Sequence, residues 1–105
     1  MAIIPTRNTT AASSKVMATN KCQLFGFNVA NAGTAGYVLV YDLTAAPVDG
    51  TVTPVKAYAL AANSTIEVGY SPALSLIVGC TLAFSSTGPF TQTLSATALI
   101  SAEVN

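Results

Sequence analysis

The chain has 105 residues with four Lys or Arg, four Asp or Glu and no His, so its formal net charge is zero. That length allows one domain built on one core. The charged fraction is 8%, against about 25% for ordinary soluble domains. Four scattered cations exclude a basic nucleic-acid-binding patch. No stretch approaches the ~20 apolar residues of a membrane span. Sparse charge protects a free monomer poorly against association, which points to a surface covered in a permanent oligomer or assembly.

Residues 1–14 read as an extended N-terminal arm and 15–105 as a β-sandwich domain. The run from Thr6 to Ser14 has no apolar period, and Pro5 argues against regular strand pairing. Ile3 and Ile4 favour an arm that orders on a partner, for instance along a sheet edge. Met1 to Pro5 is too short for a secretion signal, so export by one is not expected.

From Lys15 the chain becomes strand-like. Cys22 to Val29 puts Phe25, Phe27 and Val29 on one face, and the Asn31–Gly36 cluster predicts a turn. Tyr37 to Leu43 follows, apolar on both faces as in a central strand, and the two segments read as a hairpin. Ala45 to Gly50 is a loop with an Asp-Gly turn, and Pro54 opens a strand ending at Leu60. Thr65 to Tyr70 alternates with Ile66, Val68 and Tyr70 inward, and Ser71-Pro72 is expected to break it.

Leu74 to Phe84 then alternates over a long run, with Leu74, Leu76, Val78, Cys80, Leu82 and Phe84 on one parity and small or polar residues on the other, broken only by Ile77. It reads as a single long strand with Val78 in the core and Thr81 on a wet face. Ser85 to Pro89 is a turn, and a last strand is expected from about Leu94 to Val104. Six or seven strands joined by short links, without a helix, predict an all-β, single-domain antiparallel sandwich of jelly-roll or Ig-like type.

The chemistry of catalysis is sparse. Without His the commonest general base and metal ligand is missing. The carboxylates Asp42, Asp49, Glu67 and Glu103 are far apart in sequence, with Asp49 serving its turn and Glu67 on a polar strand face. Cys22 and Cys80 lack metal-site spacing and read as buried free thiols. No phosphate-binding loop occurs. The expectation is a non-enzyme with no catalytic residue, cofactor or metal.

Several segments carry a resemblance. They are Leu24-Phe25-Gly26-Phe27, Gly36 to Asp42, Ala46 to Pro54, Phe84 to Thr91 and Ser95 to Ser101. Together, over roughly residues 22–101, they resemble small virion proteins of tailed bacteriophages and prophages. The resemblance implies a structural protein of the phage particle, a capsid decoration or cement protein on the head exterior, made in the host cytoplasm. Its implied partners are the major capsid protein and itself, as a homotrimer, with no nucleic acid or membrane. The arm residues Ile3, Ile4, Pro5 and Arg7 are the expected capsid contacts. The rival from another class is a head-fibre or tail-fibre module binding a host receptor or carbohydrate, for which Tyr37, Tyr41, Tyr58 and Tyr70 are the only candidate sugar-stacking aromatics.

Overall fold

The structure is a computed structural model that describes residues 4–7, 13–45, 47, 53–88 and 93–105. Eight strands are present among the described residues: β1 Ile4–Arg7, β2 Ser14–Ala18, β3 Cys22–Asn31, β4 Gly36–Tyr41, β5 Lys56–Leu60, β6 Thr65–Leu76, β7 Cys80–Ser85 and β8 Ala98–Val104. They form two four-stranded sheets of order β1-β8-β3-β6 and β2-β7-β4-β5. All described pairings are antiparallel. Only β4 and β5 are consecutive strands of one sheet; every other step along the chain crosses to the opposite sheet. The all-β sandwich is thus as expected, and of the two types the strand order is that of the double-sheet jelly roll.

The core lies between the sheets. Leu24, Phe27, Val29, Ile100 and Val104 from the first sheet meet Val38, Val40, Cys80, Leu82 and Phe84 from the second. Each fully buried large apolar side chain contributes about 1.5–3 kcal/mol. On the outer face of the second sheet a smaller cluster of Leu39, Tyr41 and Ala83 is covered by Tyr37, Leu43 and Leu94. Strands β4 and β7 are therefore buried on both faces, as the apolar residues on both parities of Tyr37–Leu43 implied.

Several expectations are corrected. The predicted hairpin of β3 and β4 does not form, because they lie in different sheets. The link between them is an arch tied by the buried Asn31. Its Nδ2 donates to the carbonyls of Thr34 and Ala61, and its Oδ1 accepts from the Gly33 amide and the Thr97 hydroxyl. A short polar side chain that completes its own hydrogen bonds can replace strand pairing in this way.

Phe25 leaves the predicted core face. A bulge between Leu24 and Gly26 shifts the register on β3, so Leu24, Phe27 and Val29 point inward instead. Strand β6 runs through Ser71-Pro72, a cis peptide, rather than stopping there. Its register against β3 jumps from Leu74 to Gly69 across that stretch. The last strand begins at Ala98, while Leu94 makes an isolated bridge to Ser85.

The long strand Leu74–Phe84 is in fact two strands and a corner. Strand β6 ends at Leu76 in one sheet and β7 starts at Cys80 in the other. Val78, expected in the core, is 51% exposed, and Thr81, expected on a wet face, is 0% exposed. Alternation continued across the corner, but the chain changed sheets beneath it. The Thr81 hydroxyl donates to the Leu43 carbonyl, 2.9 Å away, which satisfies it in its buried position. Cys22 and Cys80 are both buried free thiols, as expected.

Part of the segment read as the arm is paired within the fold. Ile4–Arg7 is an edge strand paired with β8, and Ser14 already belongs to β2. Pro5 is tolerated there because an edge strand can leave one row of backbone groups unpaired. The Asp-Gly turn at 49–50 lies outside the described residues.

Candidate functional site

Of the predicted contact residues, Ile3 lies outside the described residues. Ile4, Pro5 and Arg7 stand in β1 opposite Val104, Glu103 and Ser101 of β8. The backbone pairing expected with a partner is thus made on one side by the chain's own β8. The other side of β1 is the edge of its sheet.

Two further surfaces were not anticipated. The first is the tip between β6 and β7. Asp42, just beyond β4, turns its carboxylate onto this corner: Oδ2 accepts from the Ile77 amide at 3.1 Å, and Oδ1 from the Val78 and Gly79 amides at 2.8 and 3.1 Å. The Gly79 amide holds the carboxyl below its ordinary pKa, desolvation opposes it, and the Val78 and Ile77 amides add to the lowering. Gly79 is required by close approach. A Cβ there would come within 2.7 Å of the Ala18 carbonyl oxygen and 2.8 Å of that of Leu43. With its backbone pinned, the corner presents Ile77, 75% exposed, and Val78 to solvent. Exposed Lys21 precedes Cys22, which pairs with Leu76, so it lies beside Ile77. Exposed Val55 and Lys56 occupy the same end of the sandwich, where the Val55 amide donates to the Val40 carbonyl.

The second surface is a groove of about 400 Å³ across the outer face of β8, β3 and β6. The β3 bulge builds it. Gly26 faces Gly69 on β6 and Glu103 on β8, and Asn28 faces Glu67 and Ser101. A Cβ on Gly26 would meet the Val68 carbonyl oxygen at 2.8 Å, whereas one on Gly69 would enter open space. The two glycines make a low floor. Phe25, displaced by the bulge, and Asn28 with the exposed Glu67 and Glu103 form the walls. Asn28 Nδ2 donates to Glu67 Oε2 at 3.3 Å, which orients that carboxylate.

The reactive groups are quiet. Burial pushes the Cys80 thiol up to about 12, with the adjacent Cys22 thiol adding to it, and burial likewise raises Cys22. The Tyr58 and Tyr70 hydroxyls share a hydrogen bond of 2.7 Å between the sheets, and both rings tilt against Phe27. Burial, then that hydrogen bond, raises the Tyr70 pKa. Glu67 and Glu103 stand on strands separated by β3. Among the described residues, no three His, Cys, Asp or Glu converge as metal ligands, and no helix is long and apolar enough to cross a membrane.

Asp42 and the β3 bulge carry both surfaces, and neither has a local sequence motif; the nearest signals are Gly79 after two aliphatics and Gly26 inside a strand pattern. Comparison with protein families, with curated proteins and with solved structures finds no match.

Proposed function

We propose that this chain is a structural component of a bacteriophage particle, a capsid decoration protein on the head exterior that bridges and stabilises major capsid subunits. It acts without catalysis, cofactor or metal, and works as a homo-oligomer, a trimer in the simplest case. The observation that carries this reading is a jelly roll with almost no charge that places large aliphatic side chains in water at one end. Apolar groups displayed in this way mark association surfaces. The open edge of β1 supports the expected attachment through the arm, since a sheet edge accepts an extended segment. Binding only to the assembled shell stabilises that shell by mass action, and many weak sites add up around a closed particle.

Of the four tyrosines that a fibre module could use, Tyr37 alone stands half-buried on an outer face. Tyr41 is buried, and Tyr58 and Tyr70 bind each other between the sheets.

The deciding experiment counts copies in purified particles of the phage that carries this chain, and measures DNA retention in particles lacking it. Hundreds of copies on the head, with leakage at lower temperature when they are absent, are expected. A few copies at the tail, or none, would reject the reading.

A further inference from the structure

We propose that the chain self-associates head to tail: the Ile77–Val78 tip of one copy seats in the Gly26–Gly69 groove of the next. This contact is separate from attachment to a capsid and does not depend on it.

Three observations on one molecule carry the inference. The tip is preorganised, because the Asp42 carboxylate already holds the three amides of the corner. Its apolar side chains therefore stand in water without a fold-internal reason, and little order is lost when they dock. The groove has matching relief. Its floor is glycine, with open space above Gly69. Its 400 Å³ corresponds to about a dozen waters, room for two aliphatic side chains beside the Phe25 ring.

The charges complement. Lys21 and Lys56 lie at the end of the sandwich that carries the tip, where the Asp42 carboxylate offsets one of them, whereas Glu67 and Glu103 line the groove on either side, with Arg7 opposite Ser101 on the neighbouring edge strand. A chain of zero net charge thus has two cations against one carboxylate at the end that carries the projection, and two carboxylates and no cation among the residues lining the recess. That pattern steers unlike faces together and opposes the tip-to-tip and groove-to-groove arrangements. Because the two faces differ, the contact is heterologous: it closes into a ring or continues as a filament.

Two substitutions separate the faces, and both fall where the fold has room. Val78→Asp spoils the tip at an exposed position, and Gly69→Trp fills the groove from a position whose Cβ meets nothing. Sedimentation velocity on the full chain at micromolar concentrations should show an oligomer for the wild type. Each variant, its fold checked by circular dichroism, should be monomeric, with self-association weakened by about a hundredfold.

Mixing the two variants is the sharper test. The Gly69→Trp copy keeps a working tip and the Val78→Asp copy a working groove. The mixture should therefore form a one-to-one dimer and stop. Ile77→Ser and Gly69→Leu replace them if either fails to fold. Lys21→Glu with Lys56→Glu should also dissociate the oligomer, and Glu67→Lys with Glu103→Lys should restore association when mixed with it.

A monomeric wild type, variants as oligomeric as the wild type, or a mixture that stays monomeric would each overturn the proposal. A monomer that still coats phage heads would overturn this contact alone and leave the capsid reading standing. A monomeric wild type whose Gly69→Trp variant fails to coat heads would assign the groove to the capsid instead, and also overturns self-contact.

Discussion

Replacing Asp42 by Ala tests whether the tip is held by its carboxylate. Three amides, at 3.1, 2.8 and 3.1 Å, lose their acceptor. They sit at a solvent-accessible corner, so water replaces part of what is lost, and the full value of about 1.5–3 kcal/mol per buried charged hydrogen bond does not apply. The closest analogue is removal of a helix N-cap, which costs about 0.5–2 kcal/mol. A loss of about 1–2 kcal/mol at pH 7 follows, or a fall in Tm of about 5–10 °C for a domain of this size.

The pH dependence makes the test specific. The Asp42 pKa is lower folded than its ordinary value of 3.8, so the unfolded chain binds the proton more tightly. The stabilisation is complete above that value and is lost as pH falls through the lower folded one. The gap between wild type and Asp42→Ala, measured by urea unfolding, should therefore be full at pH 7 and shrink between about pH 5 and pH 2. Amide exchange at Ile77, Val78 and Gly79 should accelerate in the variant at pH 7. A gap that is absent at pH 7, or equally large at pH 2, would refute the reasoning.

Other outcomes follow from burial. Phe84→Ala should cost about 3–5 kcal/mol in chemical denaturation, because Phe84 is fully buried between the sheets, whereas Val78→Ala should stay within about 0.5 kcal/mol. Thr81→Asp should abolish folding by leaving a charge unpaired in the interior, while Val78→Asp should leave a folded domain; circular dichroism separates the two. Gly26→Ala should destabilise by about 1–3 kcal/mol through its contact with the Val68 carbonyl, and Gly69→Ala should not. Both cysteines should resist alkylation in the folded protein at pH 8 and react fully in denaturant, since burial pushes both thiols up, Cys80 to about 12.

Alternation made the strands legible where the chain stays in one sheet. Ile66, Val68 and Tyr70 on β6 pack where their parity placed them. It failed where the chain changes surface. At Phe25 one bulge residue exchanges the two faces, and a period of two carries no sign of the exchange. At Ile77–Gly79 the apolar parity survives a change of sheet, and the apolar Ile77 on the polar parity is the one mark of the corner where side chains move from core to solvent. Asp42 could not be assigned its role either, because its partners lie 35–37 residues away. Pro5 argues against regular pairing only in a central strand; an edge strand accepts proline.

The placement of β8 also dictates when this protein can fold. It lies between β1 and β3, and Asn105 exchanges both backbone hydrogen bonds with Gln23. During synthesis β1 lacks its partner β8, and β3 has only β6, until β8 itself has been made. The nascent chain therefore waits with two strand edges and part of an apolar layer uncovered, and the closing step joins segments far apart in sequence, Ile4 with Val104 and Leu24 with Val104. Such closures are slow, on the order of milliseconds to seconds, and the waiting chain is open to association with its neighbours. High expression should accordingly favour insoluble material over the native sandwich, and slower synthesis should shift the yield back.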